Sequence, residues 1–168
     1  MRHTYEYEEG RIVLKPLEKE DIEALRILRN KMRHCFLNTQ IISPENQEAW
    51  YESYLKKDRD YMFKIVKKEK PTEFIGAIAI YDVDDANRSA EFGRLIVDKE
   101  IAPEKGLGYD AVKAICKFSF GVLQLSQIRA FVLTDNERAL KTYLKVGFRI
   151  EKKTEQGYYV EMAKEQLV

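Results

Sequence analysis

The chain has 168 residues, of which 45% are apolar and 34% are charged, and its formal net charge is +1. This length favours a single domain over residues 1–168, and a chain of this size buries about 70% of its unfolded surface, enough for one hydrophobic core. The nearly balanced charge gives no reason to expect nucleic acid or an anionic membrane as a partner.

The first part of the chain predicts one strand and two helices. Residues 11–17 alternate weakly between apolar and polar side chains, which indicates a strand, and residues 18–30 carry apolar side chains at helical spacing. Residues 31–42 are irregular. Ser43 and Pro44 mark the start of a second helix, because serine accepts hydrogen bonds at the N-cap and proline suits the first helical position.

The middle of the chain is β-like. Three apolar segments at 61–68, 74–83 and 91–98 are separated by short polar turns. Neighbouring strands with tight connections usually pair with each other, so these segments predict an antiparallel meander.

The last part of the chain changes to alternating helices and strands. Residues 102–108 form a glycine-containing loop, and residues 109–123 have helical periodicity. Residues 128–134 are almost continuously apolar, as expected for a strand covered on both faces. A helix over 136–146 and a hairpin over 148–163 complete the chain. The order predicts an α/β or α+β sheet with a crossover late in the chain.

The loop before the helix at 109–123 predicts an anion site. Glycine lets the backbone approach a ligand closely, and a helix N-terminus supplies free N–H groups and a positive dipole end, so a diphosphate is the favoured ligand. A Walker loop is excluded because Tyr109 follows where Lys would be required. A Rossmann loop is disfavoured because residues 128–133 contain no acid. The diphosphate of coenzyme A remains as the candidate ligand. The alternative is that the segment is an ordinary strand–helix turn in which glycine serves only the backbone geometry.

Two segments resemble GCN5-related N-acetyltransferases, the GNAT family. The sequence TDNERALKTYLKVGF is similar to the closing motif of that family, and EFGRLIVD followed by EKGLGYDAV is similar to its strand and pyrophosphate loop. The resemblance covers residues 11–163. It implies a GNAT fold, with a mixed central sheet of about seven strands, an antiparallel meander from the second to the fourth strand, and helices on both faces. It also implies acetyl-CoA as the cofactor.

The resemblance implies three cofactor-binding segments. The expected residues are Leu95, Ile96, Val97, Lys105, Gly106, Leu107, Gly108, Tyr109 and Asn136. Pro103 departs from the family loop, which usually has Gln or Arg at this position. Backbone N–H groups should still hold the diphosphate, with Lys105 adding a charged contact. Asn136 contacts the cofactor, caps the following helix, or does both.

Tyr143 and Glu91 are the catalytic residues that the resemblance implies. Tyr143 would protonate the CoA thiolate, since a phenol with a pKa of about 10 matches an alkyl thiol, and aromatic packing is the alternative. Glu91 would accept the proton of the amine directly or through water, and a solvated surface carboxylate is the alternative. A backbone N–H along 95–97 would stabilise the oxyanion. The same stretch is expected to splay from its neighbour and to receive the pantetheine arm like an added strand.

The segment at 28–54 resembles the amino-sugar-nucleotide branch of the family, which includes the acetyltransferase of pseudaminic acid biosynthesis. The implied acceptor is the 4-amino group of a UDP-linked dideoxy amino sugar. The expected substrate-binding residues are Arg29, Asn30, Arg33, His34 and Trp50. The arginines would meet a diphosphate, and Trp50 would stack on a ring or belong to the core. The alternative for His34 is a local polar contact, and the alternative for Arg33 is a solvated side chain.

Two other functions stay open at this point. The ribosomal-protein N-terminal acetyltransferases share the general layout, and a non-catalytic acyl-CoA-binding regulator would use the same fold. A small-molecule amine is the favoured partner, and exposed sheet edges are compatible with a homodimer. Cys35 and Cys116 belong to no CxxC or Cys/His cluster, so no metal is expected. The start of the chain has no apolar signal core, and we expect a cytoplasmic location.

Overall fold

The computed structural model describes residues 3–168, which form one eight-stranded sheet flanked by four helices. The strands are β1 (Tyr7–Glu9), β2 (Ile12–Pro16), β3 (Tyr61–Lys67), β4 (Gly76–Asp84), β5 (Ser89–Val97), β6 (Gln127–Leu133), β7 (Arg149–Lys153) and β8 (Gly157–Ala163). The helices are α1 (Ile22–Lys31), α2 (Pro44–Leu55), α3 (Leu107–Gly121) and α4 (Glu137–Val146). No helix in the described part of the chain is long and apolar enough to cross a membrane.

The strand order is β1-β2-β3-β4-β5-β6-β8-β7, and every neighbouring pair is antiparallel except β5 and β6. This arrangement confirms the mixed sheet and the antiparallel meander. The sequence missed β1, whose three residues are too few to show a period. The single parallel pair requires a crossover, and α3 provides it.

Two helix boundaries differ from the prediction. The helix predicted from residue 18 begins at Ile22, because the turn before it is a 3-10 helix in which the Asp21 carboxylate accepts a hydrogen bond from the Glu18 N–H. The helix predicted from residue 109 begins at Leu107. The start of α2 agrees with the prediction, since the Ser43 hydroxyl accepts from the Asn46 N–H at 3.1 Å.

Apolar side chains alternate between the two faces of the sheet, as the pleat requires. Phe63 and Ile78 belong to the core under α3 and α4, whereas Met62 and Ala79 belong to the core under α1 and α2. Helices therefore cover both faces, as predicted.

The parallel pair β5–β6 opens part of the way along the sheet. The pairing ends at Glu91 and Arg129, although β5 continues to Val97 and β6 to Leu133. Beyond this point the two strands diverge and form a wedge, so the predicted splay is present. The wedge determines where ligands have access to the middle of the sheet.

Candidate active site

The start of α3 has the geometry of an anion site. Gly106 lies at the N-cap with a φ of 89°, a conformation that glycine adopts without steric cost, and no side chain caps the helix. The first helical hydrogen bond runs from the Asp110 N–H to the Gly106 carbonyl. The N–H groups of the three residues between them, 107–109, therefore have no intrahelical acceptor. A Cβ added to Gly108 would meet no heavy atom within 4 Å, so the space before the helix is open.

A cavity of about 360 Å³ lies between the end of β5, the start of α3 and α4. We call it the loop cavity. Of the residues predicted to bind the cofactor, it is lined by Leu95, Ile96, Val97, Gly106, Gly108, Tyr109 and Asn136. Leu107 is buried in the core and offers only its backbone, and Lys105 is exposed outside the lining. Free N–H groups facing an open cavity of this size fit the diphosphate of coenzyme A.

Asn136 caps α4 and also lines two cavities, so its position is compatible with both roles that the sequence left open. Its side-chain oxygen accepts a hydrogen bond from the Ala139 N–H at 3.3 Å and so caps α4. The same residue lines the loop cavity and the cavity in the wedge.

The wedge between β5 and β6 contains a second cavity of about 350 Å³, the wedge cavity. Glu91 and Tyr143, the two predicted catalytic residues, both line it. The ring of Tyr143 packs edge-on against Phe92, with centroids 4.8 Å apart, so it is also a packing residue. Burial raises the pKa of the Tyr143 hydroxyl above its usual value, which keeps the phenol protonated and available as a donor.

Tyr81 is a third functional group of the wedge cavity, and sequence reasoning did not select it. Its hydroxyl donates to the Glu91 carboxylate at 3.2 Å and fixes that side chain. Burial, and then the charge of Glu91, raise the pKa of Tyr81. Gly93 accommodates this hydroxyl, because a Cβ at that position would lie 2.6 Å from the phenolic oxygen. A lone glycine inside a strand was the available signal, since it often marks a close approach.

A β-bulge in β5 shapes the same region. The pairs Ala77–Ile96 and Ala79–Gly93 show one extra residue in β5, and Arg94 adopts a φ of 54° there. A bulge leaves a residue outside the regular ladder and bends the strand. The Arg94 guanidinium is held by two hydrogen bonds to Asp60, at 2.7 and 3.0 Å.

A third cavity, of about 360 Å³, lies between α1, α2 and β5, and we call it the helix cavity. It shares Arg29, Asn38 and Arg94 with the wedge cavity. Its charged lining residues are Arg29 and Arg94, and no Asp or Glu lines it. The Arg29 guanidinium lies 3.2 Å from the centroid of the Phe36 ring, and its Nη1 is buried without a hydrogen-bond partner among residues 3–168. Burial lowers the pKa of Arg29 to about 10, so the group remains charged at neutral pH. Trp50 lines the cavity and stacks on Tyr54 at 5.6 Å.

Three predicted substrate residues lie elsewhere. The Asn30 amide binds both backbone groups of Ile42, donating at 2.9 Å and accepting at 2.8 Å, and so ties down the loop before α2. Arg33 lies outside the helix cavity and contacts the Asn30 carbonyl at 3.4 Å. His34 lines the loop cavity. The resemblance of the segment at 28–54 could not separate these positions, because the chain leaves the helix at residue 31 and turns through a 3-10 segment.

An uncapped helix N-terminus beside a cavity that adjoins a carboxylate and a phenol in a split sheet is the arrangement expected of an acyl-CoA-dependent transferase. The profile of the acetyltransferase (GNAT) domain matches residues 11–149, most of the chain, so the protein belongs to this family. It is an N-acetyltransferase that uses acetyl-CoA and acts on an amine.

Two curated relatives are acetyltransferases. The spermidine N(1)-acetyltransferase of Escherichia coli (strain K12) is 29% identical over 143 residues, which are 83% of this chain and 74% of that protein. The acetyltransferase PseH of Campylobacter jejuni (serotype O:2) is 28% identical over 126 residues, which are 74% of this chain and 74% of that protein.

Two solved structures share the fold. The nucleotide-linked sugar GNAT FdhC, in its apo form, superimposes with a TM-score of 0.85 at 18% identity, covering 98% of this chain and 93% of that chain. The spermidine N-acetyltransferase of Vibrio cholerae in complex with CoA and spermine superimposes with a TM-score of 0.80 at 22% identity, covering 93% of this chain and 97% of that chain.

Proposed function

We propose that the enzyme acetylates the primary amine of a phosphate-bearing acceptor, namely the 4-amino group of a UDP-linked dideoxy amino sugar. The observation that carries this proposal is the charge of the helix cavity. Arg29 and Arg94 line it, and no Asp or Glu does; because the Arg94 guanidinium is already paired with Asp60, Arg29 supplies the unpaired charge. Arginine meets a diphosphate with paired hydrogen bonds, and the buried Nη1 of Arg29 is a donor without an acceptor in the described chain.

The same charge disfavours a polyamine. Spermidine is a multiple cation, and a protein that binds it needs carboxylates at the spacing of its amino groups. In the helix cavity the cation would instead face Arg29. Two like charges 4 Å apart repel by about 4 kcal/mol near a protein surface, enough to reverse a preference. Asp60 does not change this balance, because its carboxylate is already paired with Arg94.

The wedge cavity supplies the residues for transfer. Bound acetyl-CoA supplies the activated acetyl group as a thioester. Glu91, held by the Tyr81 hydroxyl, accepts the proton that the alkylammonium must lose before it can attack. Tyr143 would donate its phenolic proton to the sulfur of CoA. The backbone N–H of Leu95, beside the bulge at Arg94, would donate to the thioester carbonyl oxygen.

The loop cavity holds the cofactor in this proposal. The N–H groups of Leu107, Gly108 and Tyr109 would hold the diphosphate, and Leu95, which lines both cavities, would contact the pantetheine arm. Leu95 and Tyr143 line both cavities, which makes the path from diphosphate to reacting carbon continuous.

The test compares acceptors in a thiol-release assay, with the UDP-linked 4-amino sugar, spermidine and an N-terminal peptide as alternatives. We expect kcat/KM for the sugar nucleotide to exceed that for spermidine by at least a hundredfold. Arg29→Met should raise KM for the sugar nucleotide by about tenfold or more, because charge-assisted hydrogen bonds contribute about 1.5–3 kcal/mol. Arg33→Met, one turn away and outside the helix cavity, is the matched control. Turnover of spermidine at an equal or higher kcat/KM would refute the proposal.

A further inference from the structure

The loop cavity contains an unexplained pair of cations. Lys99 and Arg138 line it together with the glycines at the start of α3, and no Asp or Glu is part of its lining. Lys99 lies in the segment after β5, and Arg138 lies in the first turn of α4. The pair therefore approaches the cavity from two separate elements.

Neither cation is neutralised within the described part of the chain. No carboxylate of residues 3–168 forms an ion pair with Lys99 or Arg138. The Lys99 Nζ donates to the backbone carbonyl of Glu104 at 3.2 Å, whereas the Glu104 carboxylate is paired with Lys67 at 2.8 Å. Burial and the neighbouring charge of Arg138 lower the pKa of Lys99, so the two cations are close enough to repel each other. A polyanion in the cavity would relieve this repulsion.

We propose that Lys99 and Arg138 clamp the diphosphate of acetyl-CoA, together with the free N–H groups at the start of α3. Arg138 offers a fork of donors to one phosphate, and Lys99 adds a point charge. The pair supplies the side-chain charge that the loop lacks, because Pro103 has neither charge nor an N–H and Lys105 lies outside the cavity lining. The inference requires only the cofactor and is independent of the acceptor.

The test measures binding by calorimetry, without turnover. Lys99→Gln keeps a donor for the Glu104 carbonyl and removes the charge, whereas Lys99→Arg keeps the charge. We expect Lys99→Gln and Arg138→Gln each to raise the Kd for CoA about tenfold or more, and Lys99→Arg to leave it within threefold. Lys141→Gln is the matched control, because this residue lies on the same helix with a side chain that is 80% exposed.

A second probe, 3′-dephospho-CoA, identifies the phosphate that is bound. Its Kd should rise by the same factor as that of CoA in both glutamine variants, because it keeps the diphosphate. Loss of affinity for CoA alone would assign the pair to the 3′-phosphate and overturn the proposal. Unchanged Kd values for both probes would also overturn it. Equal weakening by Lys99→Arg and Lys99→Gln would show that the lysine shapes the loop through Glu104 and does not act by charge.

Discussion

Tyr143→Phe is the sharpest test of the proposed chemistry, because it removes a single oxygen from the wedge cavity. The ring contacts remain, since Phe92 and Phe148 pack against the ring at 4.8 and 5.9 Å between centroids. No hydrogen bond joins the hydroxyl to another group among residues 3–168. We therefore expect the melting temperature to stay within about 2 °C of wild type, because no protein hydrogen bond is lost.

The expected loss is catalytic. A positioned general acid contributes about 10²- to 10⁴-fold, which corresponds to about 3–5 kcal/mol at 1.36 kcal/mol per decade. Released CoA, followed with a thiol reagent, should show kcat falling by at least a hundredfold. The Kd for acetyl-CoA should change less than threefold, since the diphosphate contacts are remote from the phenol. Tyr5→Phe is the control, because that ring is 40% exposed and lies outside both cavities.

The pH profile adds a second measurement. Burial raises the pKa of Tyr143, so its proton is retained throughout the neutral and mildly alkaline range. A raised pKa means that the donor is lost only when the pH exceeds the usual phenol value of about 10. The wild-type rate should therefore show no alkaline decline due to this group below about pH 10. A kcat for Tyr143→Phe within threefold of wild type would refute the assignment.

Three further substitutions test other parts of the structure. Glu91→Gln keeps an acceptor for Tyr81 but not a base, so kcat should fall about a hundredfold in the thiol-release assay; a kcat within threefold of wild type would exclude Glu91 as the base. Gly93→Ala places a methyl group 2.6 Å from the Tyr81 oxygen. We expect a similar loss of kcat, whereas the affinity for acetyl-CoA in calorimetry should be retained. Full activity of this variant would contradict the contact between Gly93 and Tyr81. Gly147 has a φ of 128°, and the Cβ of Gly147→Ala would overlap the Gln166 carbonyl. The melting temperature should therefore fall by about 5 °C or more, which corresponds to roughly 2 kcal/mol. A smaller change would mean that the C-terminal turn moves to accommodate the methyl group.

Local chemistry made the elements predictable. Ser43 and Pro44 defined the start of α2, and Gly147 defined the end of α4, because caps depend on residues that are adjacent in sequence. The wedge followed from the family resemblance and not from periodicity. Tyr81 and Arg94 were not predicted, because their positions depend on the pairing of β4 with β5. The bulge in β5 and Gly93 determine which side chains contact each other there.

The substrate side was harder to predict for a physical reason. Arg29 and Arg33 are one turn apart, yet only Arg29 lines the helix cavity, since the chain leaves α1 at residue 31. His34 consequently lies in the loop cavity. A resemblance to a whole segment does not determine which side chains share a cavity, because neighbouring residues diverge where the helix ends.

The helix cavity and the loop cavity share one wall, because Ile96 of β5 lines both. The segment between α1 and α2 also reaches both cavities, since Asn38 lines the helix cavity whereas His34 and Cys35 line the loop cavity. Under the proposed function, a mutation in this segment can therefore alter the affinity for the donor as well as the choice of acceptor. An exchange of specificity with a relative that acetylates spermidine would accordingly graft residues 38–54 and leave His34 and Cys35 in place.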